Sequence, residues 1–430
     1  MARLRAHDRE IIALALPALG ALAAEPCYLL ADTAIVGHLG TPQLAALALA
    51  ATALGALTTV FNFLVYGTTA AVARAHGSGD AARAHEIGGQ AVWLGLALGC
   101  MLALVTLAAA SPVMSLLGHN GHVADLAARY LRISAPGLPA VLLATAGQGY
   151  QRGIAKLRRP LEIVVAANVA NLALEAILVY GAQLGLDGSA LGTVIAQLGM
   201  GVAFLLALAP LPRPDPAQMR RLARVGGEIA VRTSALYVSF IVASAVLARI
   251  SRASLGAHQV AFQLYNLLAL VLDALAIAGQ VMVARMLGAG DGDGAYAAAR
   301  RLVVLSLAGG TLIGLVLLAL SGALPHVFSD DPLVLGRLHA IWPLLAVMEP
   351  AAGVVFALDG ILIGSGDTRF LAGAMVVAAL GVFAPIALAA LHFHWGIVGV
   401  WVGLIALIAV RAATNGWRFQ QRRWIVLGAG

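Results

Sequence analysis

A chain of 430 residues that is 61% apolar and 11% charged, with a mean hydropathy of +0.91, has too little polar surface for a soluble exterior. The bilayer has to be its solvent. The net charge of +7 rests on 27 basic residues, and in a membrane chain such an excess marks cytoplasmic loops rather than a nucleic-acid partner. Cys27 and Cys100 both lie in apolar stretches and suggest neither a disulfide framework nor a thiol metal site.

In chain order, the first segment imitates a cleavable signal peptide: Arg3 and Arg5, an apolar run from Ile11, then Ala21-Leu22-Ala23. The run continues to Leu39 and has a counterpart in the second half, so it reads as a retained membrane helix. Stretches long enough to span a bilayer follow at 11–38, 43–72, 88–111, 124–149, 160–181, 188–210, 226–250, 256–284, 302–323, 334–361, 369–391 and 396–413. They predict an all-α integral membrane protein with twelve transmembrane helices. The longest polar connection, stiffened by Pro212, Pro214 and Pro216, falls mid-chain. The expected organisation is an N-lobe over 1–211 with helices 1–6, a cytoplasmic linker over 212–225, a C-lobe over 226–413 with helices 7–12, and a cytoplasmic tail over 414–430.

The termini and every second loop hold 21 of the 27 Lys and Arg, which puts both termini in the cytoplasm of a plasma-membrane protein. The halves repeat. Val72-Ala73-Arg74 with Gly77, Gly79 and Asp80 recurs as Val283-Ala284-Arg285 with Gly288, Gly290 and Asp291, an offset of 211 residues. Gly149, Gly153 and Arg158 recur as Gly360, Gly364 and Arg369, and Gly185, Gly188 and Gly192 as Gly396, Gly399 and Gly403. Six helices per half make the repeats parallel, two lobes about a pseudo-two-fold axis along the membrane normal.

Seven ionisable side chains interrupt the apolar stretches: Glu25, Asp32, Glu175, Arg232, Asp273, Glu349 and Asp359. A charge inside a membrane helix costs a few kcal/mol on insertion scales, which makes each a functional candidate. Glu25 and Asp32 stand two turns apart on helix 1 with Pro26 between them, where a kink is available. Asn168, Asn171 and Glu175 form one stripe on helix 5. Desolvation disfavours the charged form of a carboxyl, so protonation there becomes a usable switch. In the second half, Arg232 is expected to pair with Asp273 or Glu349, while Asp359 reads as interfacial. Glu349-Pro350 repeats the carboxyl–proline order of Glu25-Pro26. Gln148 and Tyr130 join Pro26 and Asn168 as cavity or hinge candidates, and Gln280 joins the C-lobe set. Phe61, Phe63, Tyr66, Tyr150 and Tyr265 are further aromatics able to line a permissive apolar cavity.

The run Glu25-Pro26-Cys27-Tyr28, continuing to Asp32-Thr33-Ala34-Ile35-Val36-Gly37-His38-Leu39-Gly40, resembles the multidrug and toxic compound extrusion (MATE) family, in its DinF-like branch. Gly256-Ala257-His258-Gln259, Leu272-Asp273 through Gly279-Gln280, and Asn171 followed by Glu175 support the resemblance. It implies antiport through a cleft between lobes: a proton, or a sodium ion, enters and an amphipathic or cationic organic compound leaves by alternating access. No cofactor is implied beyond the coupling ion, and the expected partners are the substrate and membrane lipid, with the chain a monomer. The implied coupling residues are Asp32, Glu175 and Asn171, a set where Na⁺ could also bind, with Glu25 as a second titrating group. Glu175 stands where the family commonly has Asp.

Two other readings differ in what they require. A flippase for lipid or polyprenyl-linked precursors needs a more basic cavity, and Arg232 reads as the only buried cation. An intramembrane enzyme needs clustered Asp motifs for Mg²⁺ or a His/Glu pair at helical spacing, and Asp291 with Asp293 has no third partner in sequence. The chain therefore reads as a transporter and not an enzyme.

Overall fold

The computed structural model describes residues 2–118 and 121–428; the side chains of 2–6 and 116–118, among them Arg3 and Arg5, lie outside the described residues. The chain is helical throughout: α1 (Ala2–Gly37), α2 (Thr41–Val60), α3 (Phe63–Gly77), α4 (Ala81–Gly118), α5 (His122–Ser134), α6 (Leu138–Gly153), α7 (Arg158–Glu175), α8 (Leu186–Leu208), α9 (Pro216–Ile250), α10 (Arg252–Gly288), α11 (Gly292–Ala319), α12 (Leu324–Phe328), α13 (Pro332–Gly364), α14 (Thr368–Val376), α15 (Ala384–His392) and α16 (Gly396–Gln420). Eleven helical spans among the described residues are long and apolar enough to cross a bilayer. The twelfth crossing is composite: α5 and α6 meet at a 3₁₀ turn over Ala135–Gly137, where Pro136 and Pro139 remove two backbone donors. The twelve-helix expectation is met.

Several boundaries differ from the hydropathy reading for local reasons. The second stretch is divided between α2 and α3, and just before the break the Thr58 hydroxyl donates to the Leu54 carbonyl at 2.8 Å, a pattern that bends helices. Helix α9 starts at Pro216 rather than 226, because Pro216 occupies a first-turn position and Asp215 caps it, accepting from the Ala217 amide at 2.8 Å. That amide holds the Asp215 carboxyl below the usual carboxylate range. Helix α16 runs to Gln420, past 413, and Trp424 then turns back, donating to the Phe419 carbonyl at 3.0 Å.

The chain forms two compact units. The N-unit is Gly20–Gly226; the C-unit joins residues up to Leu19 to everything from Gly227 onward. In the N-unit, α6 packs on α3, α4 and α8; in the C-unit, α13 packs on α10, α11 and α16 around buried Trp342, Trp401 and Phe383. The repeated glycines seat these central helices. A Cβ on Gly149 would lie 2.8 Å from the Val65 carbonyl, and one on Gly360 would lie 2.2 Å from the Ala276 carbonyl. Likewise Gly99 faces Pro139 and Gly310 faces Pro350. Lipid gives helices no reason to separate from it, so such close small-residue packing is what holds them together.

Candidate functional site

In the N-unit, α1, α7 and α8 bring two carboxyls together. Asp32 and Glu175 are buried, and their carboxyl groups come within hydrogen-bonding reach of each other. Around them stand hydroxyls from three helices, α1, α5 and α8. Ser189 donates to Asp32 Oδ1 at 3.1 Å, and Tyr28 and Thr193 donate to Glu175 Oε1 at 3.2 and 3.4 Å. Asn171 donates from Nδ2 to Thr193 at 3.4 Å, and the Tyr130 hydroxyl faces Asp32, Ser189 and Thr193. Gly192 makes room for this: a Cβ there would come within 3.3 Å of the Glu175 side chain.

Helical spacing explains the convergence. Asn171 and Glu175 are one turn apart on α7, Ser189 and Thr193 one turn apart on α8, and Tyr28 and Asp32 one turn apart on α1. Directly after Glu175 the backbone widens into a π turn over Ala176–Gly181, a distortion common at functional sites. Tyr180 in that turn donates to the Ile35 carbonyl at 2.8 Å, tying α7 to α1 beside Asp32.

The side-chain groups named around the pair are oxygens, apart from the Asn171 amide nitrogen. Asn171 Oδ1 and Glu175 Oε2 are buried without a hydrogen-bond partner among the described residues. Two carboxyls this close repel unless a proton or a cation lies between them. An all-oxygen set suits a proton or a hard monovalent cation such as Na⁺. No cluster of three or more His, Cys, Asp or Glu residues occurs among the described residues, so a multivalent metal has no comparable cage.

The remaining N-unit candidates lie elsewhere. Glu25 is exposed, and Pro26 sits half-buried inside an unbroken α1. Asn168 braces α1 by donating to the Ala24 carbonyl at 3.1 Å, and Gln148 accepts from Arg152 one turn on at 3.5 Å. Tyr28, Ser189 and Thr193 were not among the sequence candidates. The Ser189–Thr193 pair at i, i+4 in an apolar helix was the available signal.

In the C-unit, Arg232 pairs with Asp359, a partner that the sequence reading did not assign to it. The same carboxylate accepts from Arg411 Nη2 at 2.5 Å and Asn415 Nδ2 at 2.9 Å. Asp359 is accordingly buried, at 4% exposure. Nor is Arg232 the only buried cation, since Arg411, Arg74 and Arg152 are buried too. Helix α16 runs on past 413, and Arg411 and Asn415, one turn apart, are both buried along it. Glu349 is fully buried beside Pro350, Gln280 is buried on α10 opposite Gly364, and Asp273 is half-buried on the same helix.

A family model described as MatE matches residues 17–177 and 229–410. Protein DETOXIFICATION 44, chloroplastic, of Arabidopsis thaliana is 29% identical, covering 96% of this chain and 82% of its own length. DNA damage-inducible protein F of Escherichia coli strain K12 is 28% identical, covering 99% and 94%. Among solved structures, the bent form of the Vibrio cholerae MATE transporter VcmN superposes with a TM-score of 0.90 at 21% identity, over 98% of each chain, and shares the fold.

Proposed function

The chain belongs to the MatE family, and on that premise we propose that it is a cation-coupled antiporter exporting amphipathic or cationic organic compounds by alternating access. The observation that carries this reading is the Asp32–Glu175 pair, two buried carboxyls ringed by hydroxyls, which stay together only with a proton or small cation between them. In this reading the two units are the transporter's lobes, and the chain is a monomer in the plasma membrane with both termini cytoplasmic.

The cycle follows from charge. With a proton or Na⁺ at the pair, α1 is held against α7 and α8 through Ser189, Tyr28 and Thr193. Loss of that ion leaves two negative charges in a desolvated site, which favours either separation of α1 from α7 or entry of a cationic substrate. Substrate and coupling ion thus exclude each other, which is the requirement for exchange. Glu25, exposed two turns before Asp32, is the candidate second titrating group. A phosphate-bearing cargo is less well served, because Arg232 and Arg411 are both engaged by Asp359.

The test is efflux of a cationic dye from proteoliposomes under an imposed proton or sodium gradient. Wild type is expected to export against one of the gradients, and Asp32→Asn to lose about tenfold or more of that rate while remaining folded. Full gradient-driven export by Asp32→Asn overturns the reading.

A further inference from the structure

Helix α1 belongs to both units. Its residues up to Leu19 are part of the C-unit, while Asp32 near its end lies in the N-unit site, and the helix is unbroken between them. Asp8 and Asp32 thus belong to one helical rod.

The C-unit grips the start of that rod at two points, from two different helices. Asp8 takes a bidentate pair from Arg301 of α11, with Nε at 2.6 Å and Nη2 at 2.8 Å, and Glu10 pairs with Arg285 of α10. All four side chains are about two-thirds buried, with exposures of 27 to 32%. A single exposed ion pair holds little, but a bidentate pair and a second pair two residues on fix both position and rotation.

The N-unit grips the start of α9, and one of the gripping positions corresponds between the units. Gln90, which corresponds to Arg301 at the offset of 211, donates to the Arg213 carbonyl at 2.8 Å and accepts from the Asp215 amide at 2.8 Å. Trp93 donates to the Pro212 carbonyl at 2.9 Å, and Gln218 donates to Glu86 at 2.6 Å. Each unit therefore anchors the beginning of a helix whose remainder lies in the other unit, because α9 passes into the C-unit after Gly226. The N-unit does so with hydrogen bonds at Gln90, Trp93 and Glu86, and the C-unit with ion pairs.

We propose that Asp8 and Glu10 are positioning residues of the transport cycle: they make the first turns of α1 a fixed part of the C-unit, so that α1 carries a change at Asp32 to α10 and α11. The proposal rests on the antiport reading for its purpose, but its mechanical content is testable without transport.

The experiment is hydrogen–deuterium exchange over residues 285–301, run as a double-mutant cycle between Asp32→Asn and the neutralised anchor Asp8→Asn/Glu10→Gln. With the anchor intact, Asp32→Asn is expected to change exchange there by about threefold or more; with it neutralised, by less than about 1.5-fold. The charge-swapped Asp8→Arg/Arg301→Asp pair, with Glu10 retained, is expected to restore the response, which a merely local packing role would not do. A response that survives neutralisation, or that the swap fails to restore, overturns the proposal. Dye efflux measured in parallel separates the two claims. No gradient-driven efflux from wild type, with the exchange response present, overturns antiport and supports the anchor. Efflux from wild type, with an exchange response indifferent to the anchor, does the reverse.

Discussion

Ser189 and Tyr28 both donate to the carboxyl pair, and the two substitutions that remove their hydroxyls should differ. Ser189 donates to Asp32 and also stands 3.5 Å from Glu175, so Ser189→Ala removes the bridging donor, while Tyr28→Phe strips one donor from Glu175 alone. Both are expected to fold, since one hydrogen bond is worth about 1 kcal/mol net. Coupled efflux should fall further for Ser189→Ala. Glu175→Asp withdraws the carboxyl by one methylene from Tyr28 and Thr193 and should lower coupled efflux by about tenfold with the charge retained, given how steeply a site depends on displacements of about 1 Å. The C-unit cluster predicts a stability effect instead. Asp359→Ala leaves Arg232 and Arg411 buried without their shared anion and should destabilise by about 3 to 5 kcal/mol; replacing all three by Leu and Met should recover most of it. Thermal unfolding in detergent checks both.

Helix packing depends on backbone approach rather than on interlocking side chains. Central helices α6 and α13 carry glycines where a neighbour's carbonyl or α-carbon comes too close for a side chain, and the contact recurs at the repeat offset. Gly360→Ala puts a methyl 2.2 Å from the Ala276 carbonyl and should cost about 1 to 3 kcal/mol, because the clash is with backbone that cannot rotate away. Gly309→Ala on α11 meets only a flexible Leu275 methyl at 3.9 Å and should be close to neutral in the same unfolding measurement. The π turn after Glu175 belongs to this scale as well. A second such turn spans Val377–Phe383, so the distortion occurs in both halves, but only the first follows a buried carboxyl.

Across the whole molecule the duplicated backbone carries unlike chemistry. At the repeat offset, Asp32 corresponds to Ala243 and Glu175 to Ile386, while Asp359 corresponds to Gln148 and Arg411 to Met200. Gly192 faces Glu175 and Gly403 faces Ile386, so the correspondence holds in space as well as in sequence. One half holds a carboxyl pair and the other an ion-paired knot, which in the proposed reading divides coupling from structural duties. The proposed orientation is checked at this scale. With native cysteines removed, Lys156→Cys should react with a membrane-impermeant maleimide only after the cells are opened, and Asp330→Cys in intact cells; the reverse pattern would invert the topology.

The membrane, the number of crossings, the repeat and the family resemblance were all legible in the sequence, because each helix satisfies its own backbone and advertises itself by local hydropathy alone. The Asp32, Asn171 and Glu175 candidates were legible for the same reason, as polar residues in hydrocarbon at helical spacing. Their partners were not. Ser189 is 157 residues from Asp32, and the donors that meet Asp359, Arg411 and Asn415, lie 52 and 56 residues on. The assignment of the first 19 residues to the C-unit was equally hidden, since a continuous apolar helix gives no local sign of where its company changes. Hydropathy is a property of one segment and its solvent, whereas pairing and anchoring are decided by which helices the packed bundle brings side by side.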